Sequence, residues 1–145
     1  MRTVRHLLEA KGHEVFAIDP EAAVLDAIRL MAEKQVGALA VVHDGRLEGM
    51  VSERDYARKV ILHGHASRDT PVRAIMTSNV VTVTPDQDLS DCMRIMTDKR
   101  IRHLPVMDGG RQVGVLSIGD VMKAVLAEQE FLIGQLSNYI GGVTV

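Results

Sequence analysis

The sequence predicts a mixed α/β (α+β) protein built from two β-α-β-β-α repeats that pack with pseudo-twofold symmetry. Three observations carry that prediction. Residues 15–61 align without a gap onto residues 80–126, at a constant offset of 65. Pro20 falls on Pro85, Asp26 on Asp91, Met31 on Met96, Leu39 on Leu104, Gly49 on Gly114, Ser52 on Ser117 and Asp55 on Asp120. Each copy also runs through one succession: a short apolar run, a helical stripe and two further apolar runs. Two copies, finally, are too few for an open solenoid, which needs about three repeats to bury a continuous core. Closure of one copy on the other is expected instead, and it creates two related clefts.

The elements follow in order. Val4-Arg-His-Leu-Leu8 resembles Val72-Arg-Ala-Ile-Met76 at an offset of 68, so the first copy carries three extra residues in the connector 9–14. Val15–Ile18 reads as a short strand. Asp19-Pro20 and Thr84-Pro85 are expected to open helices, the first residue as a cap and the proline in the first turn. Val24, Ala27, Ile28 and Met31, with Leu89, Cys92, Met93 and Met96 in the copy, recur at i, i+3, i+4 and i+7, the stripe of an amphipathic helix. Leu39–Val42 and Leu47–Val51 read as a hairpin turned at Asp44-Gly45; Leu104–Met107 and Gln112–Leu116 repeat it around Asp108-Gly-Gly110. A second helix is expected from Ser52 to about Leu62, and from Ser117 to about Ala127. The organisation is then 1–64 for the first repeat with its N-terminal helix, 65–71 for a polar linker, 72–127 for the second repeat and 128–145 for a C-terminal tail. Phe131, Leu132, Leu136 and Ile140 make that tail partly amphipathic, expected to pack on the body or a second subunit and to end at Gly141-Gly142.

Composition narrows the function. The 145 residues suffice for one compact domain, and 46% hydrophobic with 25% charged residues is ordinary for a soluble protein. A net charge of −2 offers no long-range attraction to nucleic acid or to an anionic membrane. No apolar run approaches the ~18–20 residues of a membrane span, and Met1-Arg-Thr-Val-Arg5 leads into no signal-peptide core. The single cysteine, Cys92, sits in a helical stripe and reads as a core residue. Together these features predict a cytoplasmic protein. The six histidines show no metal-ligand spacing, His63 and His65 included, and no nucleophile, dinucleotide or Walker motif is present. No catalytic set emerges, so an enzyme is not expected.

What recurs is Gly49-Met-Val-Ser52-Glu-Arg-Asp55 and Gly114-Val-Leu-Ser117-Ile-Gly-Asp120. Ser-x-x-Asp ahead of a helix is a capping box. The same serine lies beside free backbone N–H groups, where a phosphate is favoured. An aspartate one turn on can accept both hydrogen bonds of a ribose diol, as an acidic residue does in dinucleotide folds. Glycine three residues before the serine is expected to let a ligand approach the strand backbone.

This duplicated unit resembles a tandem pair of cystathionine-β-synthase (CBS) domains, a Bateman module of the stand-alone prokaryotic type, over about residues 4–127. Ile101-Arg-His-Leu-Pro105-Val106 and Met76-Thr77 fit the same family. The resemblance implies a regulatory sensor that binds adenine ligands (AMP, ADP, ATP, NAD or S-adenosylmethionine), assembles as a disc-shaped homodimer and is read by an unknown regulated protein. It implies that Asp55 and Asp120 hold ribose hydroxyls and that Ser52 and Ser117 sit by ribose or phosphate. Val36, Gly37 and Ala38, Ile101, Arg102 and His103, and the turns bearing Phe16, Thr77 and Val81 would line the adenine and phosphate regions. Arg54 could reach a phosphate, but its counterpart is Gly119; Arg102 and His103 are matched by Gly37 and Ala38. The two clefts are therefore expected to be chemically unequal, with Arg54 partly compensating on the other repeat. The rival reading is a dimerisation protein with vestigial clefts, which would not need both aspartates together with Arg102 and His103. A metal-dependent hydrolase ranks last, since neither aspartate has a second carboxylate at ligand spacing.

Overall fold

A computed structural model describes residues 2–144, with side chains through Gly141. Helix α1 (Val4–Lys11) leads into strand β1 (Ala17–Ile18), helix α2 (Val24–Lys34) and strands β2 (Ala38–His43) and β3 (Arg46–Ser52). A short helix α3 (Glu53–Asp55) continues as a π-helix over Tyr56–Ile61. After a 3-10 turn at Val72–Ala74 come helix α4 (Leu89–Lys99), strands β4 (His103–Asp108) and β5 (Arg111–Ser117) and helix α5 (Ile118–Thr144). The stripes work as expected: Val24, Ala27 and Met31 are buried on α2, and Leu89, Cys92 and Met96 on α4. Both hairpins pair antiparallel, and their tight turns hold positive φ at Asp44 and Gly45, and at Gly109 and Gly110.

The leading segments are exchanged between repeats. Val4, Leu7 and Leu8 of α1 are buried with Val83, Leu89, Cys92, Leu104 and Leu116 of the second repeat. Val72 and Ile75 are buried with Val24, Met31, Leu39 and Val51 of the first. Backbone hydrogen bonds fasten the exchange: Val4 N–H donates to Gln87 O (2.9 Å), Arg5 N–H to Pro85 O (2.8 Å), Val72 N–H to Ala22 O (2.8 Å) and Arg73 N–H to Pro20 O (2.9 Å).

These bonds explain one departure from expectation. Pro20 and Pro85 do not open helices. α2 begins after Ala23 and α4 after Asp88, neither with a side-chain cap. The residues ahead of each helix present their carbonyls to the exchanged segment, and Asp19 accepts from Glu21 N–H in a turn (2.8 Å). The glycines depart as well. A Cβ on Gly49 would lie 2.7 Å from Thr77 O and 2.9 Å from Met76 Sδ, and one on Gly114 would lie 2.6 Å from Leu8 Cδ2. The chain itself makes the close approach there, not a ligand.

The copies differ in their first strands. β1 pairs parallel to β2 at Ala17↔Ala40 and Ile18↔Val41, with Ala40 N–H donating to Phe16 O (3.0 Å). In the second repeat only the bridge Val83↔Val106 forms, so the strand expected at 80–83 is absent. The position of Ala40 is Pro105 there, which has no N–H to donate. The helices after the serines differ as well: the first keeps the expected span, the second exceeds it. The first turns into a π-helix at Tyr56, whereas α5 runs unbroken past Ala127 and through Gly141-Gly142. Its tail does not pack on the body: Phe131, Leu132, Leu136 and Ile140 are each more than half exposed. No helix among the described residues is long and apolar enough to cross a membrane.

Candidate functional site

Both Ser-x-x-Asp motifs are capping boxes. Ser52 N–H donates to Asp55 Oδ2 (3.0 Å) and Asp55 N–H to Ser52 Oγ (3.2 Å); Ser117 and Asp120 repeat this at 3.0 and 3.1 Å. The cap does not exhaust the motif. Each aspartate is held at the rim of a cleft, with Asp55 17% and Asp120 28% exposed.

The Asp55 cleft, about 350 Å³, combines Ser52, Arg54, Asp55 and Arg58 of the first repeat with Thr77, Val81, Arg100, Ile101, Arg102 and His103 of the second. The Asp120 cleft, about 470 Å³, combines Gln112, Val115, Ser117 and Asp120 of the second repeat with Lys11, Glu14, Phe16, Gln35 and Val36 of the first. Gly37, Ala38, Met50 and His103 line both. Among the described residues, Pro105 lines neither; it is buried in β4 opposite Val115.

Arg54 does not compensate for Arg102 on the other side; both residues line one cleft. Arg58 and Arg100 join them, both missed by sequence reasoning, so that four arginines stand against Glu53 and Asp55. Among the described residues of the Asp120 cleft, Lys11 alone stands against Glu14 and Asp120. The repeat alignment held a signal for Arg100, whose counterpart is the neutral Gln35. Lys11 falls in the three-residue insertion, which the alignment skips.

The ionisable groups respond to this setting. Burial opposes the charge on Asp120, but the Lys11 ammonium and the Ser117 donors outweigh it and hold the carboxyl below its usual range. Burial pushes the His103 imidazole below its ordinary value; Lys11 and Arg102 push the same way, while Asp120 opposes them. This ring lines both clefts. Gln112 Oε1 is buried in the Asp120 cleft wall with no hydrogen-bond partner, an acceptor where the first repeat has Leu47. Among the described residues no group of three or more His, Cys, Asp or Glu side chains is placed to hold a metal.

Comparison with known proteins identifies the family and the fold. The CBS domain family model matches residues 4–62 and 72–127. The mitochondrial CBS domain-containing protein CBSX3 of Arabidopsis thaliana is 44% identical over 97% of this chain and 72% of its own. A putative signal-transduction protein with CBS domains from Burkholderia ambifaria is 47% identical, with a TM-score of 0.85 over 88% of this chain and 96% of that one. The CBS domain pair of protein MJ0100, solved with 5′-methylthioadenosine and S-adenosylmethionine, shares the fold at 21% identity, with a TM-score of 0.78 over 88% of this chain and 98% of that one. With two matched copies, exchanged leading segments and paired clefts, the chain belongs to the CBS domain family as a tandem pair.

Proposed function

We propose that the chain is a cytoplasmic regulatory module without chemistry of its own, which binds adenine ligands in both clefts and signals their presence to a partner protein. The observation that carries this reading is the convergence of Arg54, Arg58, Arg100 and Arg102 on the cleft that holds Ser52 and Asp55. Guanidinium forks suit phosphate oxygens, and an aspartate one turn into a helix suits a ribose diol. The Asp55 cleft then takes the phosphorylated ligands of the AMP, ADP, ATP and NAD class. The Asp120 cleft, with one cation, two carboxylates and the unpartnered Gln112 acceptor, suits an adenosine ligand without phosphate. The ligands solved in the MJ0100 pair are of that kind.

Binding shifts the angle or association of two chains only by its differential affinity for the two arrangements. Homodimer formation is supported by the exposed apolar residues of the pseudo-equivalent helices. Ile61 and Leu62 on one repeat, and Met122 and Leu126 on the other, are all exposed, and Ile61 aligns with Leu126. Along α5, Leu126, Ile133 and Ile140 recur every seven residues, with Met122 four residues before the first and Leu136 three residues after the second, the spacing of a helix–helix seam.

A melting-temperature screen with AMP, ADP, ATP, NAD and S-adenosylmethionine tests the reading. A ligand at 100 times its Kd adds about 2.7 kcal/mol, worth roughly 5–10 °C for a chain of this size. If none raises the melting temperature and no nucleotide co-purifies, the vestigial-cleft reading replaces this one.

A further inference from the structure

The three-residue insertion in the connector 9–14, which includes the end of α1, changes what meets the sheet edge beside each cleft. In the first repeat Met50 and Thr77 exchange two backbone hydrogen bonds, Thr77 N–H to Met50 O at 2.8 Å and Met50 N–H to Thr77 O at 3.0 Å. The position equivalent to Met50 is Val115, and its carbonyl is met by a side chain: Lys11 Nζ donates to Val115 O at 2.5 Å. The same ammonium reaches Asp120 Oδ2 at 2.6 Å and lines the cleft. Asp55 also has a lysine, but Lys59 lies one turn along its own helix at 3.3 Å, donates to Ile75 O and stays outside the cleft lining.

We propose that Lys11 is an internal, displaceable occupant of the Asp120 cleft: an adenosine ligand binds there only by taking its place on Asp120. The inference rests on the adenine-ligand reading above. A ribose diol engages both oxygens of a carboxylate, and Asp120 Oδ2 already accepts the Ser117 N–H and the Lys11 ammonium. The second diol contact forms when Lys11 leaves. Lys11 is also the last residue of α1, whose Val4, Leu7 and Leu8 are anchored in the second repeat's core. Its release loosens the final turn of that helix, where Gly12 N–H donates to Leu8 O at 2.7 Å. Occupancy of the Asp120 cleft is thereby read at the exchanged segment. The Asp55 cleft has no equivalent in its lining: Thr77 holds its edge by backbone bonds, and Lys59, which pairs with Asp55 along its own helix, lies outside it.

The test uses 5′-methylthioadenosine, which carries the diol and no phosphate, so that Lys11 cannot act on it as a phosphate partner. ATP serves as the probe of the Asp55 cleft. Calorimetric titration of the full chain should show Lys11→Met binding 5′-methylthioadenosine about fivefold more tightly than the native chain, the scale of a partly exposed ion pair. ATP affinity should not change. Lys11→Gln, which keeps a donor for Val115 O, should move in the same direction. In the native chain, saturating 5′-methylthioadenosine should speed hydrogen exchange at the Gly12 amide. Unchanged or weaker 5′-methylthioadenosine binding in both variants, or undiminished Gly12 protection, overturns the proposal. So does the absence of binding to every form, since a freed Asp120 then accepts no diol. ATP still binding in that case would leave the adenine-ligand reading standing, whereas loss of both would end it too.

Discussion

The two repeats share a pattern and part company at their edges. On the Asp55 side the cleft is closed by backbone, through Thr77 and Met50, and filled with positive charge from four arginines. On the Asp120 side a lysine side chain replaces that backbone bridge, and the charge inside the cleft is slightly negative. The first strands differ in the opposite sense. β1 is anchored in the sheet next to the Asp120 cleft, while Val81, beside the Asp55 cleft, lacks the bond that the proline at 105 cannot donate. A duplicated fold can thus keep its core while each cleft acquires its own polarity, because cleft walls come from connectors and strand ends that the core does not constrain.

The exchanged segments offer the largest effect with which to break this comparison. Leu8 is fully buried in the second repeat's core, whereas Met76, its counterpart in the leading segment of the other repeat, is only partly buried. Leu8→Ala is expected to cost about 2–5 kcal/mol and Met76→Ala less. Urea unfolding measures both. Hydrogen exchange adds a directional check: Leu8→Ala should weaken protection first in β4, β5 and α4, not in β2 and β3. Equal costs, or protection lost first in the first repeat, would contradict the exchange.

The exchange also marks where sequence reasoning stops. The stripes of α2 and α4, both hairpins and both Ser-x-x-Asp caps were legible because each is a local pattern with a local cause. Val4–Leu8 and Val72–Met76 were legible as apolar segments but not as to destination, since two similar repeats offer two similar grooves. The missing strand at 80–83 had a signal in Pro105 opposite Ala40, but its effect depends on a neighbour that only the fold supplies. Sequence reasoning named Ser52, Asp55, Arg102 and His103 without assigning them to one cleft, and it set Arg54 against Arg102 as compensation on the other repeat, because helix and strand ends from different repeats face each other across the cleft. Lys11 was invisible for a different reason: a residue in an insertion has no counterpart to be compared with.

A smaller effect sharpens the charge difference. Arg102→Ala removes one guanidinium from the Asp55 cleft while leaving Ser52 and Asp55 in place. A charge-assisted hydrogen bond is worth about 1.5–3 kcal/mol, so ATP should bind at least about tenfold more weakly and AMP should lose less. Binding of 5′-methylthioadenosine should be unaffected. Titration of the native chain and the variant with all three ligands decides the matter; equal losses for ATP and 5′-methylthioadenosine would mean that the clefts are not chemically distinct.

The smallest effect comes from two histidines that titrate in opposite senses. His43, at the surface of the first repeat, is raised above its ordinary value by its hydrogen bond to Asp19 and by the Asp44 charge. Its folded form binds the proton more tightly, so its contribution is fully present below about pH 6.5 and is lost as pH rises through the raised value. His103, between the clefts, is lowered chiefly by burial, with Lys11 and Arg102 adding to it. Its unfolded form takes the proton first, so stability declines as pH falls below about 6.5 toward the lowered value. The chain should therefore lose stability on both sides of that pH, for reasons located in different repeats. Melting curves from pH 5 to 8 should show His43→Ala flattening only the alkaline slope and His103→Gln only the acid slope. Because His103 carries the Lys11 charge among its causes, Lys11→Met should soften the acid slope as well, whereas an acid slope indifferent to Lys11 would leave burial and Arg102 as the cause.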